Sequence, residues 1–280
     1  MQPEPGTPDG EDSAPWPDPA AATSSHAVRG RPWWPVGLTV AALVLGLCGL
    51  AGSTAGVVNQ ILPRRFSAGQ QRQIMVWEML RRWRTMPAGK IFPAVVSYQL
   101  SGSALNADSE LALTAHRLGI ARQASCAAAT DPAAGRVLDR LGCGAVVRAT
   151  YLDSTSSMIV TVGVAVLPGS VQASTAVRRL SAAGAGPDRL LPGLLPATFP
   201  GTLASRFGDG QRQLNWDVSV GPYLIMSTVG YADGRPRVGL LTDAYADQEM
   251  TSLAHGTANV IRGPLGAAAK VPICPGAPEC

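Results

Sequence analysis

Four cysteines, two histidines and a thin scatter of carboxylates are the residues beyond position 60 whose types and spacing suit chemistry. Cys126, Cys143, Cys274 and Cys280 are even in number and contain no Cys-x-x-Cys pair. That pattern fits disulfides in an oxidising compartment better than zinc ligation. Of the three pairings, the most local joins Cys126 to Cys143 and Cys274 to Cys280. The first loop encloses a predicted helix beginning at Pro132, and closing a loop of that size stabilises by about 3 kcal/mol in the chain-entropy treatment. The second spans Pro275-Gly276-Ala277-Pro278, residues that favour a turn. The histidines are His116 and His255, and no HExxH, GxSxG or P-loop motif accompanies them. Asp153, Asp217, Asp233, Asp247 and Glu249 fall mainly at predicted turns and helix starts, where capping explains them. The expectation is therefore a non-catalytic protein with no catalytic, cofactor-binding or metal-ligating residues and no cofactor. The alternative is an enzyme whose acid–base pair comes from distant positions.

His255-Gly256-Thr257 resembles the motif in which subtilisin-like proteases place their catalytic histidine. The likeness stops there. Ile261 stands where a small residue is expected, and no matching aspartate motif precedes it. A histidine on an amphipathic helix is the preferred reading.

Toward the N-terminus, residues 36–58 form one uncharged apolar run, VGLTVAALVLGLCGLAGSTAGVV. As a helix it would reach roughly 34 Å, enough to cross a bilayer. Trp33 and Trp34 precede it, where interfacial indoles are common. A cleavable signal peptide would use 36–50 as its apolar core and Ser53-Thr54-Ala55 as its cleavage site, releasing a secreted protein. The apolar stretch continues past that site, which favours an uncleaved anchor. Leu47 before Cys48 excludes a lipoprotein. The expected plan is a disordered Pro-rich acidic tail over 1–32, an anchor over 33–60 and a basic amphipathic helix over 61–90. A first α/β unit (91–184), a linker (185–200) and a second unit with a disulfide-closed C-terminus (201–280) follow.

The charge of +4 is uneven: residues 1–35 carry a net −3, residues 63–90 a net +6, and the remainder +1. A basic stretch confined to the juxtamembrane region does not make a nucleic-acid-binding domain. Arginine supplies 21 of the 23 basic residues, Lys90 and Lys270 the other two, which suggests a GC-rich genome. Counted strictly, Arg64, Arg65 and Arg72 against Arg29 and Arg31 would hold the C-terminal part in the cytoplasm. The cysteines argue the other way and are given more weight. The expected address is a single-pass cell-membrane protein with a cytoplasmic N-terminus and an extracytoplasmic C-terminal domain.

Ser67 and Gln70 make a capping box for a helix over 67–85, ended before Pro87. Val76, Trp77, Leu80 and Trp83 share a face, and Arg72, Arg81, Arg82 and Arg84 are the candidate contacts to anionic headgroups. Asp131-Pro132 starts the next helix, with Gly142 at its end. Alternation then predicts strands over 145–152 and 158–166 joined by a polar turn, and a helix over 171–183. The order repeats: strands over 213–220 and 223–229, a short strand over 238–241, and a helix over 244–261. Two ββα-like units imply an α+β fold, an antiparallel sheet with helices on one face.

The stretches GIARQASC (119–126), GCGAVVRATYLDSTSS (142–157), VTVGVAVLP (160–168), GPYLIMSTVGYADGRP (221–236) and CPGAPEC (274–280) resemble a family of actinobacterial single-pass membrane or exported proteins. The resemblance implies an envelope address and an actinobacterial source, and it carries no activity. The ββα order also looks loosely like ligand-sensing extracytoplasmic domains. The expected role is a membrane-anchored binding or accessory domain. Its partners would be the bilayer and a protein of the envelope or secretion machinery; the sequence leaves the oligomeric state open.

Overall fold

Asp153 closes the hairpin at the centre of the fold. Its Oδ1 accepts from Met158 N at 2.7 Å and its Oδ2 from Thr155 N at 2.9 Å. Ser156 takes the left-handed conformation (φ 58°) that the tight turn requires. The computed structural model describes residues 37–47, 63–64, 66–100, 111–183, 190–238, 244–268 and 274–275. The chain divides into one unit of Met1–Leu62 with Pro275–Cys280 and a second unit of Pro63–Cys274.

In the first unit, residues 37–47 are helical with every side chain exposed, among them Leu38, Leu43 and Leu45. This piece rises about 16 Å, roughly half a hydrocarbon core. Among the described residues no helix is long and apolar enough to cross a membrane. The remainder of the expected anchor, 33–36 and 48–60, and the expected disordered tail, 1–32, lie outside the described residues, Ile61 and Leu62 with them.

The second unit is α+β, built on an antiparallel six-stranded sheet. Helix α1 (Ala68–Thr85) carries the expected capping box and ends as predicted before Pro87. A short α2 (Ala88–Ile91) leads to β1 (Val95–Leu100) and β2 (Leu111–Ile120). After the single turn α3 (Cys126–Ala129) comes α4 (Pro132–Arg140). Asp131 caps α4 through Ala133 N and Ala134 N at 3.1 and 2.9 Å, and Gly142 (φ 76°) supplies the left-handed exit. Then follow β3 (Ala145–Asp153), β4 (Met158–Val166), α5 (Ser170–Ala183), β5 (Arg212–Val220), β6 (Tyr223–Tyr231) and α6 (Ala244–Gly266). The sheet order is β1-β2-β3-β4-β6-β5. The ββα order of 145–183 recurs in 212–266, and the two hairpins meet antiparallel through β4 and β6.

Three features depart from the sequence reading. First, the helices cover both faces. One core joins α1, α2 and α6 to Val96, Tyr98, Tyr151, Val160, Val162 and Ile225. The other joins α4 and α5 to Val146, Ala165, Leu224 and Met226. Strands β4 and β6 are apolar at successive positions, and a strand buried on both sides needs two covers. Second, β1 and β2 extend the sheet where the sequence reading placed no element. Third, the part of the expected linker from 190 onward is no spacer. Leu194 is fully buried, Asp131 N donates to Gly193 O at 3.1 Å, and Leu195 N donates to Ala129 O at 2.9 Å. Residues 185–189 of that linker and 239–241 of the expected short strand lie outside the described residues, and Val238 is in no strand.

The sheet curls around α6, which reaches both of its edges. A Cβ on Gly256 would stand 2.1 Å from Tyr98 Cβ in β1, and one on Gly266 would stand 2.5 Å from Val220 Cγ2 in β5. Met250, Leu253, Ala254, Thr257 and Ile261 all point into the core, as their spacing predicts.

Candidate functional site

An open groove of about 770 Å3 runs between edge strand β1 and helix α6, lined by Ser97, Tyr98 and Gln99 from the strand. Helix α6 contributes Asp247, Thr251, His255 and Asn259, four residues apart and so on one stripe, with Ser252 and Gly256 beside them. Gly256 lets the helix backbone approach Tyr98, which sets the depth of the groove. The HGT tripeptide is thus a packing device. Gly256 makes the close approach, and Thr257 is buried and donates to Leu253 O within its own helix.

His255 lies against Trp216 of β5, ring centroids 3.7 Å apart at 45°. Its Nε2 is buried without a hydrogen-bond partner, and burial lowers its pKa, so the neutral imidazole is favoured. Glu249 on the same helix has its carboxyl pushed up by burial and secondarily by Asp153. Asp153, however, spends both oxygens closing the β3–β4 turn. His116 is exposed in β2, opposite Val95. Among the described residues no three His, Cys, Asp or Glu side chains converge as metal ligands.

A second polar cluster is buried on the opposite face, under α5 and residues 190–197. Arg212 Nη1 bonds Asp131 Oδ2 at 3.2 Å, and Gly193 N donates to the same oxygen at 2.7 Å. Arg148 Nη1 donates to Leu195 O at 2.9 Å, and Thr150 donates to Ala197 O at 2.7 Å. These bonds fasten the 190–197 segment to the sheet. Asp217 stands apart from them. Both its oxygens are buried and unpartnered, although the residue as a whole is half-buried. Burial, with a smaller contribution from Asp131, pushes its carboxyl up to about 8.

The residues singled out by sequence fall into separate places. Cys126 and Cys143 are bonded, Sγ–Sγ 2.01 Å and Cα–Cα 6.2 Å, around α3 and α4. Cys274 is described but Cys280 is not, so that pairing lies outside the described residues. Arg72, Arg81 and Arg84 are on the surface of α1, Arg81 over the Trp77 ring at 4.5 Å and Arg84 over Trp83 at 4.8 Å. Arg82 is only 5% exposed and sits elsewhere: its guanidinium bonds Glu78 and donates to Leu265 O at 2.9 Å and Ala267 O at 2.5 Å. It caps the C-terminal end of α6, where a cation and donor meet unpaired carbonyls, and is withdrawn from any headgroup contact. The apolar face of α1 is divided. Trp83 is buried, while Val76 and Trp77 are 60% and 59% exposed beside a shallow depression lined by Arg72, Gln73 and Leu80. The sequence reading missed the groove because it assigned no strand to 95–100. The alternation of Val96 and Tyr98 with Val95, Ser97 and Gln99 was the available signal.

Comparison with protein-family models, with curated proteins and with solved structures finds no match in any of the three.

Proposed function

We propose that the chain is a single-pass membrane-anchored protein whose C-terminal domain is an extracytoplasmic, non-catalytic binding or accessory domain of the cell envelope. The observation that carries this reading is the Cys126–Cys143 bridge. Cytosolic thiols are kept reduced, so a structural disulfide belongs to an oxidising compartment. The apolar run 36–58 supplies the anchor, and its length suits one crossing. Helix α1 follows it with exposed Val76 and Trp77 flanked by Arg72 and Arg81, a combination suited to an anionic interface. The non-catalytic part of the reading rests on how the polar groups are used: Asp131 and Asp153 cap, Arg82 and Arg212 bind backbone or buried partners, and His255 packs on Trp216.

Blocking free thiols in intact cells, then mapping peptides of the purified protein without reductant, tests the reading. Linked peptides containing Cys126 and Cys143 are expected. Recovery of both as blocked thiols would remove the reason for an extracytoplasmic address.

A further inference from the structure

The outer side of β1 has no strand paired to it among the described residues. The hydrogen-bond phase of β1 can be read from its neighbour. Arg117 N donates to Ala94 O, and Ser154 N donates to Thr114 O on the far side of β2. Backbone bonding alternates along an antiparallel strand, so with Val96 opposite Ala115 and Tyr98 opposite Leu113, those residues bond β2. Val95, Ser97 and Gln99 therefore turn their N–H and C=O groups to the open edge. That row of donors and acceptors faces a groove roofed by the α6 stripe.

We propose that this groove accepts an extended segment of a partner polypeptide, which adds to β1 as a seventh strand with a basic residue against Asp247. Main-chain bonds to Ser97 and Gln99 would give affinity, and every second side chain of the guest would meet α6. Specificity comes from that helix. Asp247 is exposed and, among the described residues, is the one carboxylate lining the groove, so its complement is Lys or Arg. Thr251 and Asn259 offer hydroxyl and amide contacts along the same stripe. Six residues of β1 offer about 20 Å of edge, enough for a short linear segment. This strand addition rests on the reading of the unit as a binding domain and specifies the chemistry of its partner.

The test uses the purified full chain, so it is independent of the compartment in which the protein resides. A phage-displayed random dodecapeptide library is panned on it and the enriched peptides are synthesised. Enriched sequences should combine β-branched residues with Lys or Arg. Ser97→Pro removes an edge donor and should weaken binding at least about tenfold, as should Asp247→Lys through charge reversal. The second variant alters only an exposed helix position, so it remains informative if the first fails to fold. Backbone amides of Ser97 and Gln99 should exchange more slowly with peptide bound. Any of three results overturns the proposal: no enrichment, affinity untouched by Asp247→Lys with no change in exchange at these amides, or an edge that pairs only with a second copy of itself.

Discussion

Asp217 is held in a state that an aspartate in water does not adopt. Its folded carboxyl, pushed up to about 8, lies above the ordinary unfolded value of about 3.9. Between those values the folded chain binds a proton that the unfolded chain has released. Stability from this group is therefore full below about pH 4 and falls as pH rises towards 8, by at most about 1.4 kcal/mol per pH unit. Asp217→Asn keeps the shape and removes the titration. Melting temperatures measured from pH 5 to 8 should fall more steeply for the natural chain than for the variant, the gap widening with pH. Parallel curves would mean that Asp217 is not the buried acid described. The sequence hinted at none of this. Asp217 alternates with Trp216 and Val218, which reads as the wet side of a half-buried strand, and only α5 and residues 190–197 make that side dry. Gly256 is the opposite case, since its place in a familiar tripeptide suggested chemistry where the structure has a helix–strand contact.

At the scale of the element, α1 divides its arginines between two tasks. Arg82 closes the end of α6, while Arg72 and Arg81 flank exposed Trp77. The unit beginning at Pro63 should bind vesicles containing anionic lipid, and less so at high salt, because each surface arginine adds about 1 kcal/mol near a charged membrane. Replacing Arg72 and Arg81 by Glu should weaken binding at least about tenfold on that scale while leaving the melting temperature almost unchanged. Arg82→Met should do the reverse, leaving Glu78 and the α6 carbonyls without their donor at a cost of about 1.5–3 kcal/mol. Equal binding to neutral and anionic vesicles would leave α1 a packing helix alone. Its extent was legible from Ser67, Gln70 and Pro87, because capping and proline act locally. Which arginine turns inward was not, because the partner carbonyls lie more than 180 residues away in sequence.

Over the whole molecule, local signals gave the hairpin 145–166, α5, β5 and most of α6 through alternation or a 3.6-residue period, and β6 through the Gly221-Pro222 turn that precedes it. The placing of helices on both faces was less accessible. It follows from β4 and β6 being apolar at consecutive positions, a feature visible in MIVTVGVAV and YLIMSTVGY once those strands are taken as central. The groove depends on a longer-range event, the curling that carries α6 against both β1 and β5. The proposed role turns on which side of the membrane this domain occupies. Protease added to intact spheroplasts, with a cytoplasmic protein and an exported protein as controls, tests that directly. The C-terminal domain should be digested along with the exported control while the cytoplasmic control survives. Protection of the domain while the exported control is cut would contradict an extracytoplasmic address.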